Sequence, residues 1–585
     1  MDTTRRVILA TVLSVLVLIG FNYFSPQEQQ QGPQPLLHEN VVHNASQHMM
    51  SVAQSVESSV VKKPDPRLVI NAPAVQGTVN LRGAKLDDLV LKHYRETVQP
   101  GSPDVRVLSP IGTPRPNYVD FGWRSSSTEP IRLPDDQTLW TASGSLLDVG
   151  HPLVLTWNNG QGLTFEIGLA VDDNFMFTVT QKVHNATNKP VALYPFYRVN
   201  RGYTPDEAES SLAHEGPIAV INDRLNEGSY KDVRTESTQP NGISWSERGQ
   251  GGWAGITDKY WLMAVVPNQS RSVIGSYAWE ALHGVYQVGF SDVTPVQVEP
   301  GQTQSTEIHV FAGAKEVNLL DDYERTLHIP MFWKAVDFGS LSFLTRPVFF
   351  ILDWLNEKLG SFGMALLTFT VIVKVVFLPF TVKQMRMQWK MSTLRPQVDA
   401  LRARYKDDPL FAQQQIMLLY RNENMSMFSG VIPLLIQIPV FWCLYKDLYI
   451  TIEMRHAPFI GWIKDLSAPD PTNVFNLFGL LPFDPTHIFS FLVLGAWPII
   501  YGITLFLMQK VGTALTSNSG DTKQAQVQKK VMLIIPVVFT LFMVHQPVGL
   551  VIYYCWSNIL TAVQQGIVIA RLKALDGKPQ LVKKA

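Results

Sequence analysis

The sequence predicts a multi-domain membrane protein: an α-helical bundle of six transmembrane helices carrying a large extracytoplasmic all-β sandwich. Three observations predict it. Long apolar runs cluster after residue 340, with one more at the extreme N-terminus. From Leu68 to about Leu327, short alternating runs are split by Gly, Pro, Asn and Asp, which is the punctuation of a sandwich. Basic residues alternate between successive connecting segments, as the positive-inside rule requires of a multi-span chain. The 585 residues allow two or more domains. Forty-nine basic against 49 acidic residues argue against nucleic-acid binding driven by global charge. Cys443 and Cys555 lie in apolar runs without metal spacing and read as small buried hydrophobes.

Residues 1–24 hold the apolar run Val7 to Phe24 behind Arg5 and Arg6. It is either a cleaved signal peptide or a retained anchor. The run is long for a signal sequence and ends in Asn-Tyr-Phe-Ser-Pro without a small-x-small site. An anchor with its N-terminus inside is the expectation. Residues 25–66 are rich in Gln, Pro, Ser and His and predict a disordered linker. Within the expected sandwich, 67–330, strands are read at Leu68–Ile70, Thr78–Leu81, Leu89–His93, Leu163–Leu169, Phe175–Val183, Tyr260–Val266, Val296–Val298 and Thr306–Phe311. Residues 171–174 and 184–188 read as hairpin connections. The histidines His93, His151, His184, His214 and His283 show no metal spacing, and no catalytic pair of carboxylates stands out. In 337–362, Val348, Leu352, Leu355 and Leu359 form an amphipathic stripe. It suits either a helix in the membrane interface or one packed under the sandwich.

Residues 364–381 form the first core span: eighteen residues at ~1.5 Å each cover ~27 Å, close to a hydrocarbon core. It contains Lys374. A central lysine costs roughly 2.5–3.5 kcal/mol to insert, so Lys374 either snorkels or sits in a wet cavity and acts on something. Residues 382–427 carry eight basic and four acidic side chains. They predict a cytoplasmic helical hairpin turning at Lys406-Asp-Asp-Pro409, a docking surface or a merely solvated loop. Four further spans are expected at about 428–449, 488–508, 531–544 and 550–570, with a tight turn at 545–549. The link 450–486 has only Arg455 and Lys464 as basic residues and faces outside. The link 509–530 and the tail 573–585 are basic and face inside. In the last span Tyr554, Asn558, Thr561 and Gln565 step by 4, 3, 4 along one face beside Tyr553. With Gln437 mid-span and Thr370 one turn before Lys374, they either line a hydrated cavity around one cation or hydrogen-bond helix to helix. No acid is read inside any span, which argues against a proton pump.

The segments 368–381 (Thr-Phe-Thr-Val-Ile-Val-Lys-Val-Val-Phe-Leu-Pro-Phe-Thr), 433–441 (Pro-Leu-Leu-Ile-Gln-Ile-Pro-Val-Phe) and 547–558 (Pro-Val-Gly-Leu-Val-Ile-Tyr-Tyr-Cys-Trp-Ser-Asn) resemble the YidC family of membrane protein insertases, which has Oxa and Alb relatives. The core resemblance covers about 338–572. Gly-Gly-Trp-Ala-Gly at 251–255 and Tyr260-Trp261 resemble the periplasmic domain of Gram-negative members, more weakly. The resemblance implies a five-helix insertase core over 363–572 with a hydrophilic groove, open to the cytoplasm and to lipid, in a bacterial inner membrane. Lys374 stands where the family usually has Arg; it keeps the charge and loses the bidentate fork. Thr370 and Tyr554 match family groove positions that touch substrate. The implied partners are nascent membrane proteins, the lipid bilayer, the Sec translocon, and the ribosome and signal recognition particle. These last would dock on the hairpin (Lys383, Arg386, Arg395, Arg402, Arg404) and on the tail (Lys583, Lys584). No cofactor, metal, catalytic residue or nucleic-acid sequence recognition is implied. The β-domain resembles sugar-mutarotase sandwiches, but a fold does not carry activity. The alternatives are a small-solute transporter with Lys374 as anion site, and an enzyme whose sandwich acts on periplasmic sugars.

Overall fold

The structure is a computed structural model that describes residues 65–126, 131–205, 213–237, 242–423, 432–481, 483, 493–513 and 523–576. The expected anchor 1–24 and nearly all of the linker 25–66 lie outside the described residues. The chain divides into two compact units, 1–67 and 68–585.

In the strand Leu163–Val171 every second side chain is buried, the period of a strand with one face in a core. It forms a hairpin with Met176–Asn185, and Asp172 closes the turn by accepting from the backbone N–H groups of Asn174 and Met176. The second expected hairpin, at 184–188, is instead a crossover between sheets. Met176–Asn185 pairs with Thr303–Ala314, whereas Val191–Arg201 lies between Asn117–Ser125 and Val285–Asp292 in the other sheet. Asn185 holds the switch. Its Nδ2 donates to the carbonyls of Lys189 and Val298, and its Oδ1 accepts from the N–H of Thr187. Polar turn residues mark a reversal without specifying which sheet receives the next strand.

The two sheets have eleven and nine strands, and the described pairs are antiparallel apart from Arg67–Asn71 with Leu146–Leu147. Their inner faces close over one apolar core that includes Phe165, Tyr197, Trp253, Tyr277 and Phe311. Gly313 has no side chain because a Cβ there would stand 2.2 Å from the ring of Phe175. Arg201 is fully buried. It grips Asp258 with two hydrogen bonds of 2.6 and 2.8 Å, and donates to the Tyr230 hydroxyl at 2.6 Å.

Two helices, α1 (Tyr230–Glu236) and α2 (Val317–Thr326), belong to the sandwich. The helical part follows as α3 (Ser342–Leu359), α4 (Phe362–Val376), α5 (Leu378–Arg404), α6 (Pro409–Asn422), α7 (Ile432–Ile450), α8 (Ala496–Thr513), α9 (Lys523–Met543) and α10 (Val548–Asp576). The amphipathic stripe on α3 is largely buried in protein. Leu352 and Leu355 pack with Leu366, Phe369, Leu444 and Leu448, while Phe349 joins the sandwich core; Leu359 is exposed. A second apolar set on α3, including Phe343, Ile351 and Trp354, is exposed. Arg346 ties α3 to Asp321 of α2.

The segment 364–381, expected as one span, is divided. Helix α4 ends at Val376, and α5 begins at Leu378 with Pro379 in its first turn; the two are bent by 59°. Proline has no N–H for the helical bond and its ring crowds the carbonyl four residues back, yet its fixed φ suits a helix start. Among the described residues no single helix is long and apolar enough to cross a membrane; this bent pair passes by length and composition. Other bounds differ too. The expected span 488–508 corresponds to α8, which starts at Ala496, where Thr472 and Asp470 accept from the N–H groups of Ala496 and Trp497. Helices α9 and α10 run beyond 531–544 and 550–570. The tight turn before α10 is pinned by the N–H of Val548 on the carbonyl of Ala468.

Glu453 lies in a short 3₁₀ turn after α7. Its Oε1 accepts from the N–H of Val317 at the start of α2, and its Oε2 is buried without a hydrogen-bond partner. Burial raises its pKa to about 8 against the lowering effect of that N–H. The folded state therefore holds this proton more tightly than the unfolded chain, whose Glu titrates near about 4.3. The stability it contributes is full below that value and is lost as pH rises toward 8. The melting temperature of Glu453→Gln should gain on that of the native chain steadily from pH 5 to pH 8. A constant difference would assign the pH dependence to other groups.

Candidate functional groove

Helices α4, α5, α7, α8, α9 and α10 enclose a cavity of about 560 Å³. Lys374, in the last turn of α4, reaches it and donates from Nζ to Thr561 Oγ1 of α10 at 2.9 Å. Thr561 in turn donates to the carbonyl of Ser557 at 2.7 Å. Tyr553, Tyr554, Asn558, Thr561 and Gln565 of α10 all line the cavity, as does Gln437 of α7. The 4, 3, 4 spacing thus corresponds to one wall.

Some of these groups also hold helices together. Asn558 Nδ2 donates to Thr504 Oγ1 of α8 at 3.3 Å, and Gln437 Nε2 to the Tyr553 hydroxyl at 3.4 Å. Tyr554 packs its ring against Phe441, Tyr501 and Tyr553. In the structure this face both lines the cavity and pairs helices, residue by residue. Gln565 Oε1 is buried with no partner among the described residues, so its hydrogen bond is left for water or a guest.

Thr370 does not line the cavity. It is 1 % exposed and its hydroxyl bonds the carbonyl of Leu366 in its own helix. Sequence reasoning missed the α5 wall. Thr381, Gln384 and Gln388 line the cavity from beyond the bend, and their spacing of 3 and 4 was the available signal. Ser557, Gln564 and Tyr501 were also missed as lining groups. The reading that no acid lies inside a span was wrong: Asp447, with Lys446, falls within 428–449. Neither lines this cavity. Lys446 pairs with Asp337 at 3.0 Å, and Asp447 is fully buried with neither carboxylate oxygen hydrogen-bonded among the described residues. Among the described residues, Lys374 is the one charged side chain lining the cavity, and no carboxylate pairs with it.

On the expected docking surface, Lys383, Arg386, Arg402 and Arg404 are exposed on α5. Lys383 and Arg386 line a shallow groove of about 710 Å³ with Lys390 and the apolar Val375, Leu378 and Val382. The side chain of Arg395, and Lys583 and Lys584 entirely, lie outside the described residues.

Sandwich and groove together define a class: a helical core with a polar, singly charged cavity, joined to a large β-domain. Two family matches account for both parts. Residues 67–351 match the YidC periplasmic domain, and residues 354–575 match the 60Kd inner membrane protein family. Membrane protein insertase YidC of Granulibacter bethesdensis is 44% identical, covering 99% of this chain and 99% of its own. That of Acidiphilium cryptum is 45% identical, covering 86% of this chain and 84% of its own. The chain belongs to the YidC family of membrane protein insertases. Among solved structures, an active YidC insertase aligns over 88% of this chain and 98% of its own at 16% identity and a TM-score of 0.35. A galactose mutarotase related enzyme from Lactobacillus acidophilus aligns over 42% and 97% at 7% identity and 0.30. Scores this low carry no argument about sandwich or groove.

Proposed function

We propose that this protein inserts nascent proteins into the bacterial inner membrane through the groove around Lys374. The observation that carries the reading is a single uncompensated cation in a polar cavity, in a chain of the insertase family. Water in such a cavity lowers the cost of bringing polar residues partway into the bilayer. Lys374 attracts an acidic translocated segment, and the substrate's apolar helix leaves sideways into lipid, driven by hydrophobic transfer. No step needs a nucleotide. Six spans, with both termini cytoplasmic and the sandwich periplasmic, agree with the alternation of basic residues. In this topology the exposed basic face of α5 and the tail meet ribosome, signal recognition particle and Sec translocon. The transporter alternative is not favoured, because the relatives named above are insertases.

Photo-crosslinking tests the groove. A photoreactive residue at Gln388, on the groove wall, should capture a stalled nascent membrane protein. One at Leu282, exposed on the sandwich, should not. Equal yields at both positions would sink the proposal.

A further inference from the structure

We infer that a cleft between the sandwich and the link after α7 binds the phosphate of an anionic phospholipid headgroup. The cleft, about 510 Å³, is lined by Lys92, His93 and Arg95 from the end of one strand, by the turn 97–100, and by His456 and Lys464 from the link. Among the described residues, five side chains able to carry positive charge converge from two distant parts of the chain, and no carboxylate lines the cleft. Three acids stand close by among the described residues, and one of them, Asp104, faces Arg95 across the strand pair. Asp465 lies 3.9 Å from His456 Nε2 and accepts from Ser467, and Glu96 offers its backbone carbonyl to Arg455.

The cleft is a built site. Arg455 donates to the carbonyls of Arg95 and Glu96 at 2.8 and 2.9 Å, fastening the link to the strand end. Lys92 Nζ is held by Asn71 Oδ1 and the carbonyl of Ala72 at 2.7 and 2.6 Å, which leaves one of its three protons free. The exposed Arg95 and Lys464 make no side-chain hydrogen bond among the described residues. The positive charges of Lys92, Arg95 and Lys464 repel one another where they converge, and a shared phosphate relieves this through charge-assisted hydrogen bonds. The same link says where that phosphate comes from. Ile460 and Trp462, beside Lys464, are 66% and 44% exposed, the apolar and amphipathic side chains of a lipid–water boundary.

The inference rests on the proposed topology, with this link on the outer face of the bilayer. Its test does not use insertion, so the two can fail separately. The full chain, purified in detergent, is titrated with phosphatidylglycerol and with phosphatidylcholine, and bound lipid is counted by native mass spectrometry. The native chain should prefer phosphatidylglycerol. Arg95→Gln with Lys464→Gln should lose that preference about thirtyfold with an unchanged melting temperature, while Arg95→Lys with Lys464→Arg should keep it. A glutamine pair that retains phosphatidylglycerol like the native chain overturns the site. Inorganic phosphate is the second arm. Competition with phosphatidylglycerol supports the shared pocket. Phosphate binding to a chain that ignores phosphatidylglycerol overturns the lipid and leaves a free anion as the ligand.

Discussion

In cells depleted of their own insertase, the Lys374→Glu chain should fail to insert a short single-span protein with an acidic translocated tail, while Lys374→Arg should succeed. The reason is the isolation of this charge. Nζ has Thr561 as its partner at 2.9 Å, and among the described residues no carboxylate lines the cavity to neutralise it. Two unit charges about 4 Å apart attract by about 1 kcal/mol in water and about 4 kcal/mol at an effective dielectric near 20. A wet groove lies between these limits, so Lys374→Ala should cost about fivefold or more in insertion rate, and Lys374→Glu more still, because repulsion replaces attraction. Arginine keeps the charge and differs in geometry. Equal insertion by all four chains at equal expression would make Lys374 a snorkelling residue.

The second large effect is on stability. Asp258→Ala should destabilise the sandwich by about 3–5 kcal/mol, the range for removing one partner of a buried ion pair. Arg201 is fully buried, and among the described residues its guanidinium without Asp258 keeps the Tyr230 hydroxyl as its one hydrogen-bond partner. Its Nε already lacks a partner. Denaturant unfolding of the full chain, followed by hydrogen exchange in the strand Val191–Arg201, reads the loss. A shift below about 1 kcal/mol would show that water reaches the guanidinium and takes the place of the carboxylate.

The groove illustrates what one dimension encodes. Tyr554, Asn558, Thr561 and Gln565 share a face because helical periodicity is local, and the structure brings that face to Lys374. Pro379 was legible as a helix breaker, but a span drawn by hydropathy ran through it, so the bend at Phe377 and the α5 wall of Thr381, Gln384 and Gln388 were missed. Thr370 failed for a related reason. Position one turn before Lys374 does not decide whether a hydroxyl faces a cavity or its own backbone, and here it bonds Leu366. Asp447 was readable in the sequence and was overlooked; that it lies away from the groove required the fold.

The sandwich divides in the same way. Alternation along Leu163–Leu169 and the turn residues at 171–174 pointed to a hairpin, which the structure forms between Leu163–Val171 and Met176–Asn185, since both signals span only a few residues. The crossover at 184–188, the grip of Arg201 on Asp258 and the convergence of Lys92 and Arg95 with Lys464 depended on pairing between distant segments. By itself the sequence determined the β-rich and helical parts of the chain and its family, because periodicity, turn chemistry and motif are local. Only the tertiary structure decided which side chains meet, because contacts between distant segments follow from how sheets and helices pack.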